Sequence, residues 1–441
     1  MQNALFLMYP SVGHYKSSFQ IAEAMQEIGY EVHYAIPQGF QWLFCGKPFK
    51  LHDLYTYPFG LNIDLEMGEQ KVTILKNRLN NVTFNERKKE LMEVFGKSKP
   101  SVVFIDSYSS TDFIAAYRIL KEQKIKVIFV QTMLSSTFRL LRPYLNSQRV
   151  DMNIVRIVCD NFQIYIRAKI RSIVDKIRFM ANDDRTSVKR NFRTEEVNPL
   201  YSFTSNYGFG YQFSSLTELI LNPKELDCSV SSSNRKQIYC GCLPKKAVVT
   251  SEVGEFVSNV LEANKKLIYV SFGTLFAHKV AEIRKLLSYL DQLQNAHQVH
   301  LKIIVSIGGN QSLKQTWNYE SLTFVEYIDQ SALLKHVNLF ITHGGINSVK
   351  ESIVNSVPML VIPLEGDQIG NASKLVAKKL ASTLSLDKLT YVSLENIIFE
   401  ILKHEEEKKK ELDLFYINLR NTYTDLKSKV NSAISTSDYV I

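Results

Sequence analysis

Short apolar runs rich in valine, isoleucine and phenylalanine alternate along the chain with longer segments of helical hydrophobic period. This alternation is typical of βαβ units with parallel sheets. In the first half it predicts strands at 5–8, 31–36, 102–105 and 127–130. The pattern restarts after residue 252 and predicts strands at 267–270, 302–305, 339–342 and 359–362. We therefore expect an α/β protein with two successive doubly wound domains.

The break between the two patterns falls at 222–252, where turn-forming residues such as Pro223, Gly241 and Pro244 collect. We expect an N-terminal domain over 1–243, a C-terminal domain over 244–410, and a helical segment over 411–441 that packs back on the N-terminal domain. The charged run at 405–411 is predicted to be a solvated helix.

Composition narrows the class of protein. The chain has 441 residues, 45% apolar and 22% charged, which is typical of a folded globular protein. Its net charge of +9 favours anionic partners such as nucleotides, phosphates or an acidic membrane surface, and no recognisable nucleic-acid motif accompanies it. We expect no nucleic-acid partner.

Localisation is predicted from what the sequence lacks. Five irregularly spaced cysteines do not suggest a disulfide framework, so a reducing compartment is expected. The first residues lack the cationic region of a signal peptide, and no stretch approaches the roughly 18 apolar residues of a spanning helix. We expect a cytoplasmic chain, bound at most peripherally at the inner membrane surface.

One segment, 154–180, combines an apolar helical face with many arginines and lysines. A basic amphipathic helix of this kind lies on an anionic membrane or packs on its own domain, and the sequence leaves both interpretations open.

Polar clusters follow several predicted strands, at the edge where open α/β sheets bind ligands. They are Gly13-His14, Asp106-Ser107, Ser271 to Thr274, His343 to Ser348 and Glu365 to Gln368. Such an arrangement predicts a ligand cleft between the two domains. The acidic pair Asp183-Asp184 lies in a basic, irregular segment and is a weak candidate for a metal site.

The His343-Gly344-Gly345 sequence ends a predicted strand, and a helix is expected to begin near Asn347 and Ser348. Free N–H groups and the positive end of the helix dipole at such a junction suit a diphosphate. The chain has neither a G-x-G-x-x-G fingerprint nor a P-loop, which argues against a dinucleotide dehydrogenase and a P-loop NTPase.

The segment from Tyr327 to Asn371, with its His-Gly-Gly and Glu-Gly-Asp-Gln sequences, resembles the UDP-sugar signature of the family 1 UDP-glycosyltransferases. The resemblance implies a GT-B fold, in which two Rossmann-like domains face each other across a cleft. It also implies transfer of a hexose from a UDP-sugar, with inversion and without a metal or other cofactor. Gln368 favours glucose as the hexose by the same resemblance.

The resemblance assigns donor-binding roles to residues of this chain. Tyr327 would stack on uracil, Gln330 would contact the uracil edge, and Glu351 would accept hydrogen bonds from the ribose. The diphosphate would lie against His343, Asn347 and Ser348, and the sugar against Asp367 and Gln368. Further donor contacts are expected from Gly13, Ser271, Thr274 and Gly345. Ile346 stands where plant members carry tryptophan, and Asp329 replaces the family's proline before Gln330. Both departures weaken any inference about which sugar binds.

His14 is the predicted general base. A hydroxyl acceptor has a pKa far above 7, so its attack on an anomeric carbon benefits from a base, and neutral histidine suits that task. A buried Asp106 bonded to the other ring nitrogen would fix the tautomer and stabilise the imidazolium. The family uses such a pair.

Aromatic residues between Phe40 and Phe59 favour a hydrophobic or aromatic small-molecule acceptor, unless they pack the domain. Alternatives are a membrane lipid or carotenoid as acceptor, a non-catalytic scaffold that binds sugar nucleotides, and an epimerase that needs no acceptor.

Overall fold

The computed structural model describes residues 2–60, 70–134, 154–205, 210–227, 236–246, 251–260, 264–273, 279–308, 319–326 and 328–441. The strands of the first sheet are β1 (Gln2–Leu7), β2 (Tyr30–Pro37), β3 (Lys50–Leu54), β4 (Val102–Asp106), β5 (Lys126–Gln131), β8 (Thr217–Ile220) and β9 (Gln237–Tyr239). All seven are parallel, in the order β3-β2-β1-β4-β5-β8-β9. A separate antiparallel pair consists of β6 (Phe203–Ser205) and β7 (Tyr211–Phe213).

The two faces of this sheet bury two separate cores because side chains alternate along each strand. Leu5, Leu7 and Phe129 belong to one core, and Phe6 and Phe104 belong to the other. The helices among the described residues up to 205 are α1 (Val12–Glu27), α2 (Lys71–Leu79), α3 (Val82–Ser98), α4 (Asp112–Glu122), α5 (Ile154–Arg178) and α6 (Asp184–Thr194).

The strands of the second sheet are β10 (Lys266–Ser271), β11 (Leu301–Ser306), β12 (Thr323–Val325), β13 (Leu339–Thr342), β14 (Met359–Val361) and β15 (Ser382–Thr383). All six are parallel, in the order β12-β11-β10-β13-β14-β15. The helices described from 251 onward are α7 (Ser251–Val260), α8 (Val280–Ala296), α9 (Gln330–Leu333), α10 (Ile346–Val354), α11 (Asp367–Ala377), α12 (Tyr391–Lys403), α13 (Glu405–Thr422) and α14 (Leu426–Thr436).

Both sheets reverse their strand order at one point, between β1 and β4 in the first and between β10 and β13 in the second. Ligands of doubly wound sheets bind at the carboxyl ends of the strands beside this reversal. The strands of both sheets coincide with the predicted ones to within a few residues, which confirms them. The expected α/β class with two doubly wound sheets is also correct.

The chain divides into two compact units. The first comprises Met1–Arg142, Asn161–Cys242 and Tyr423–Ile441, and the second comprises Pro143–Asp160 and Leu243–Thr422. The segment that returns to the first unit begins at Tyr423 rather than at residue 411. The reason is that α13 buries Leu412 and Leu419 within the second unit, where it packs against α10.

The charged run at 405–411 is helical and mostly exposed, as predicted. Glu405 is the exception, because its buried carboxylate accepts hydrogen bonds from Lys266 Nζ at 2.8 Å and Asn338 Nδ2 at 2.7 Å. The sequence left open whether the apolar stripe of α5 packs on its own domain, and in the structure Phe162 and Ile173 of this stripe are more than half exposed. No described helix is long and apolar enough to cross a membrane.

Candidate functional site

The first unit brings three polar side chains together at the strand-order reversal. His14 lies in the first turn of α1, just after β1, while Asp106 is the last residue of β4 and Thr132 directly follows β5. Since β1, β4 and β5 are adjacent parallel strands, their carboxyl ends meet at one edge of the sheet.

His14 and Asp106 form a direct pair. His14 Nδ1 lies 2.7 Å from Asp106 Oδ2, and the other carboxylate oxygen accepts the Tyr108 backbone N–H at 2.9 Å. Because an ionised carboxylate only accepts, Nδ1 carries the proton of the neutral imidazole and Nε2 keeps its lone pair. The pair therefore presents a basic nitrogen.

The surroundings of this pair are partly apolar. Asp106 is fully buried, whereas the side chain of His14 keeps 15% of its surface exposed. The rings of Tyr9 and Tyr108 lie with their centroids 5.3 Å from that of His14. Nε2 makes no hydrogen bond to any described residue. A hydroxyl group that enters beside the two tyrosines could thus donate a hydrogen bond to Nε2.

Thr132 is a neighbour of the pair that the sequence analysis missed. Its Oγ1 lies 2.9 Å from His14 Nδ1, and its backbone carbonyl accepts a hydrogen bond from Asn222 Nδ2 at 2.9 Å. The Nδ1–H thus has two oxygens within reach, and the imidazole plane is fixed by both. The signal for Thr132 was its place after a predicted strand, the same signal that identified Asp106.

The second unit places a glycine-bounded loop at its own reversal point. Gly344 has φ +85°, and a Cβ there would lie 2.7 Å from Val361 Cγ1. A Cβ on Gly345 would lie 2.6 Å from His343 Nε2. Side chains are therefore excluded at both glycines, and the backbone N–H groups that open α10 stay accessible to a ligand.

His343 lies beneath this loop as a neutral imidazole. Burial lowers its pKa to about 4, although a backbone hydrogen bond with Ser271 opposes the shift. Its Nδ1 is enclosed and has no hydrogen-bond partner among the described residues. Near pH 7 this ring interacts with a ligand as a hydrogen-bonding group and not as a cation.

The first turns of α10 carry the predicted diphosphate and ribose residues. Asn347 and Ser348 belong to its first turn, where backbone N–H groups have no intrahelical partner, and Glu351 follows one turn later. Gln330 Nε2 donates to Glu351 Oε2 at 2.5 Å and to Ser348 Oγ at 3.2 Å. The amide of Gln330 thus aligns the carboxylate, a contact that sequence reasoning did not foresee.

Asp367 and Gln368 open α11 and are engaged within the protein. Gln368 Oε1 accepts the backbone N–H groups of Leu364 at 2.9 Å and Glu365 at 3.1 Å, so it braces the loop before the helix. Asp367 Oδ2 accepts a hydrogen bond from Asn371 Nδ2 at 3.0 Å. Any sugar contact of Gln368 would therefore come from its nitrogen, and the sugar-binding role of both residues stays a prediction.

The same asparagine ties α11 to the glycine loop, because Asn371 Nδ2 also donates to the Gly344 carbonyl at 3.0 Å. Asn371 Oδ1 is buried without a described partner. This residue lies within the resembling segment but had no assigned role.

Four predicted donor-binding residues remain, and the structure describes two of them. Thr274 and Tyr327 lie outside the described residues. Gly13 lies in the first turn of α1, where its carbonyl accepts the Ser17 hydroxyl at 2.8 Å, and Ser271 ends β10 beneath His343. The donor-binding roles of Gly13 and Ser271 stay predictions.

The structure shows what surrounds the acidic pair considered as a metal site and the aromatic residues considered for the acceptor. Asp184 pairs with Arg78 at 2.9 Å, and within the described ranges no three His, Cys, Asp or Glu side chains could hold a metal ion. Phe44 and Phe59 pack the core, whereas Trp42 and Tyr55 are exposed. The aromatic-rich segment therefore serves mainly as core, with some rings left at the surface.

Sequence comparison finds relatives for the second unit. The family described as "UDP-glucoronosyl and UDP-glucosyl transferase" matches residues 240–420. Human UDP-glucuronosyltransferase 3A1 is 29% identical over 178 residues, 39% of this chain and 32% of that protein. The uncharacterised UDP-glucosyltransferase YojK of Bacillus subtilis (strain 168) is 26% identical over 34% of this chain and 36% of its own length. The chain thus aligns with about a third of each of these relatives.

Structural comparison extends over the whole chain. The glycotransferase of kitacinnamycin has a TM-score of 0.67 at 15% identity, covering 98% of this chain and 97% of that one. The fold is the GT-B fold of such glycosyltransferases, and both doubly wound units take part in the match.

Proposed function

We propose that this protein transfers a hexose from a UDP-sugar to a hydroxyl group of a hydrophobic small molecule, because residues 240–420 match the family described as "UDP-glucoronosyl and UDP-glucosyl transferase". The observation that carries the catalytic part of the proposal is the His14–Asp106 pair. It lies outside the matched segment, so it supports catalysis independently of the comparison.

His14 removes the proton from the acceptor hydroxyl through Nε2. The oxygen then attacks the anomeric carbon, the bond from that carbon to the diphosphate breaks, and the configuration inverts in a single displacement. Buried Asp106 stabilises the imidazolium while it exists, and the proton leaves to solvent afterwards. General-base assistance of this kind contributes roughly 10²–10⁴-fold to the rate.

The leaving UDP is stabilised by α10 and its loop. Its negative charge lies against the first-turn N–H groups, with the imidazole of His343 and the Ser348 hydroxyl as further hydrogen-bonding groups. Glu351, held by Gln330, accepts from the ribose hydroxyls. These groups take the place that a divalent ion has in other transferases, so we propose a metal-independent reaction.

The acceptor is hydrophobic or aromatic in this proposal, since Tyr9 and Tyr108 flank the base. We propose glucose as the hexose only because Gln368 matches the UDP-sugar signature at the position that favours glucose.

A transfer assay tests the proposal. The purified chain is incubated with UDP-glucose, UDP-glucuronate, UDP-N-acetylglucosamine or UDP-galactose, with and without a panel of phenols and alkyl alcohols, in buffer or EDTA. Acceptor-dependent release of UDP that survives EDTA is expected. Interconversion of UDP-sugars without acceptor would indicate an epimerase. UDP binding without turnover would indicate a scaffold, and a strict need for a divalent ion would refute metal independence.

A further inference from the structure

Helix α5 carries an apolar stripe that faces away from the protein. Eight large apolar side chains of this helix are exposed; Ile154 and Val174 lie to either side, and the other six fall within an arc of roughly 80° at 100° per residue. They are Val155, Phe162, Ile166, Ile170, Ile173 and Ile177, and they are 38–76% exposed. Scattered exposed apolar residues are ordinary, whereas a continuous stripe along a 25-residue helix marks a binding surface.

The opposite side of the helix anchors it. Asn161 and, just after the helix, Phe179 are fully buried, and Phe179 lies under the guanidinium of Arg78 at 4.3 Å. The orientation of the stripe is thus fixed by contacts on the other face.

Cations border the stripe on both edges. On the helical wheel Lys169 and Lys176 lie along one edge, while Arg167, Arg171 and Arg178 lie along the other. The helix Ile154–Arg178 contains six basic and two acidic side chains, a net charge of +4. Arg167 and Arg171 are exposed.

We propose that α5 docks this protein on an anionic lipid surface, lying parallel to it with the stripe among the acyl chains and the flanking cations at the headgroups. An apolar stripe between two rows of cations matches the boundary between lipid tails and anionic headgroups. A second copy of the chain fits less well, because contact through the stripe would bring two sets of cations together. The inference does not depend on the proposed sugar transfer.

Vesicle flotation of the full chain tests this proposal. Wild-type protein is expected to float with vesicles of phosphatidylcholine mixed with phosphatidylglycerol, to float far less with phosphatidylcholine alone, and to be released as salt is raised. Ile170→Glu with Ile173→Glu should lower the partition coefficient by at least about tenfold. The matched control, Leu414→Glu with Ile417→Glu, changes two exposed apolar residues of α13 and should float like wild type.

The charge contribution has its own pair of variants. Arg167→Gln with Arg171→Gln should lower binding to anionic vesicles by about fivefold per cation removed, while Lys97→Gln with Lys121→Gln on α3 and α4 should not. Thermal unfolding of each variant verifies that it folds. Flotation that ignores lipid charge, or that survives the α5 substitutions, would overturn the proposal. So would a dimer in sedimentation velocity that only those substitutions dissociate, since the stripe would then bind a second copy.

Discussion

Asp106 Oδ2 lies 2.7 Å from His14 Nδ1, and the aspartate is fully buried at the end of β4. Its other oxygen is held by the Tyr108 backbone N–H at 2.9 Å. The carboxylate therefore cannot rotate without losing a bond. The proposed role of Asp106, to position the imidazole of His14 and keep Nε2 as the basic nitrogen, rests on this geometry.

Asp106→Asn should reduce turnover nearly as much as loss of the base, by roughly 10²–10⁴-fold. Because the Tyr108 N–H needs an oxygen, the new amide nitrogen would face His14 Nδ1 and donate to it. The imidazole proton would then move to Nε2, which could no longer accept from the acceptor hydroxyl. Steady-state kinetics and UDP titration check this, with unchanged UDP affinity expected. The control is Asp183→Asn, which changes a buried aspartate that accepts a hydrogen bond from the Thr186 hydroxyl. This variant should keep the turnover of the wild type.

Thr132→Val should lower kcat by about three- to tenfold, the equivalent of one ordinary hydrogen bond. The isosteric side chain leaves the loop intact but removes the oxygen 2.9 Å from His14 Nδ1. The KM for UDP-sugar should not change, and Thr132→Ser should restore the rate. If Val and Ser variants lose activity equally, the methyl group matters and the hydroxyl does not.

Glu351→Ala should raise the Kd for UDP by roughly tenfold or more, since the ribose hydroxyls lose a charged acceptor. Isothermal titration measures the change, with Glu407→Ala on exposed surface of α13 as the control. An unchanged Kd would remove Glu351 from the donor site.

His343→Asn should make stability less sensitive to acid. The unfolded chain binds a proton on His343 below about pH 6.5, whereas the folded chain does so only near its lowered pKa of about 4. The unfolded state thus holds more protons between these values, so this histidine makes stability fall as pH falls through that window. Urea unfolding at several pH values measures the free energy of unfolding, which should fall less steeply with falling pH in the variant. If the free energy of unfolding depends on pH identically in both proteins, the pKa of His343 is not lowered by folding.

Part of this arrangement could be predicted because polar residues follow apolar strands in the sequence. That rule located His14, Asp106, Ser271 and His343. The adjacency of β1 with β4 and of β10 with β13 then brings each pair of these residues to the same edge of its sheet. Thr132 obeys the same rule, but its contact with His14 depends on how the chain turns after β5, which local sequence does not encode.

Other features depend on packing that pattern analysis cannot see. Gln368 braces its own loop through two backbone N–H groups, although the signature suggested a sugar contact. Hydrophobic period predicted the α5 helix but not which way its stripe would face. That direction is set by distant side chains such as Arg78, which packs over Phe179 at the end of the helix.

Acceptors of different acidity distinguish proton removal by His14 from any other role of its side chain. Turnover of wild type and His14→Ala is measured in one preparation near pH 8, with a nitrophenol and with an alkyl alcohol as acceptors. The nitrophenol is largely ionised there and needs little help from a base. If His14 is the general base, His14→Ala loses roughly 10²–10⁴-fold in turnover with the alcohol and much less with the nitrophenol. Equal losses with both acceptors would show that His14 does not act by removing the proton.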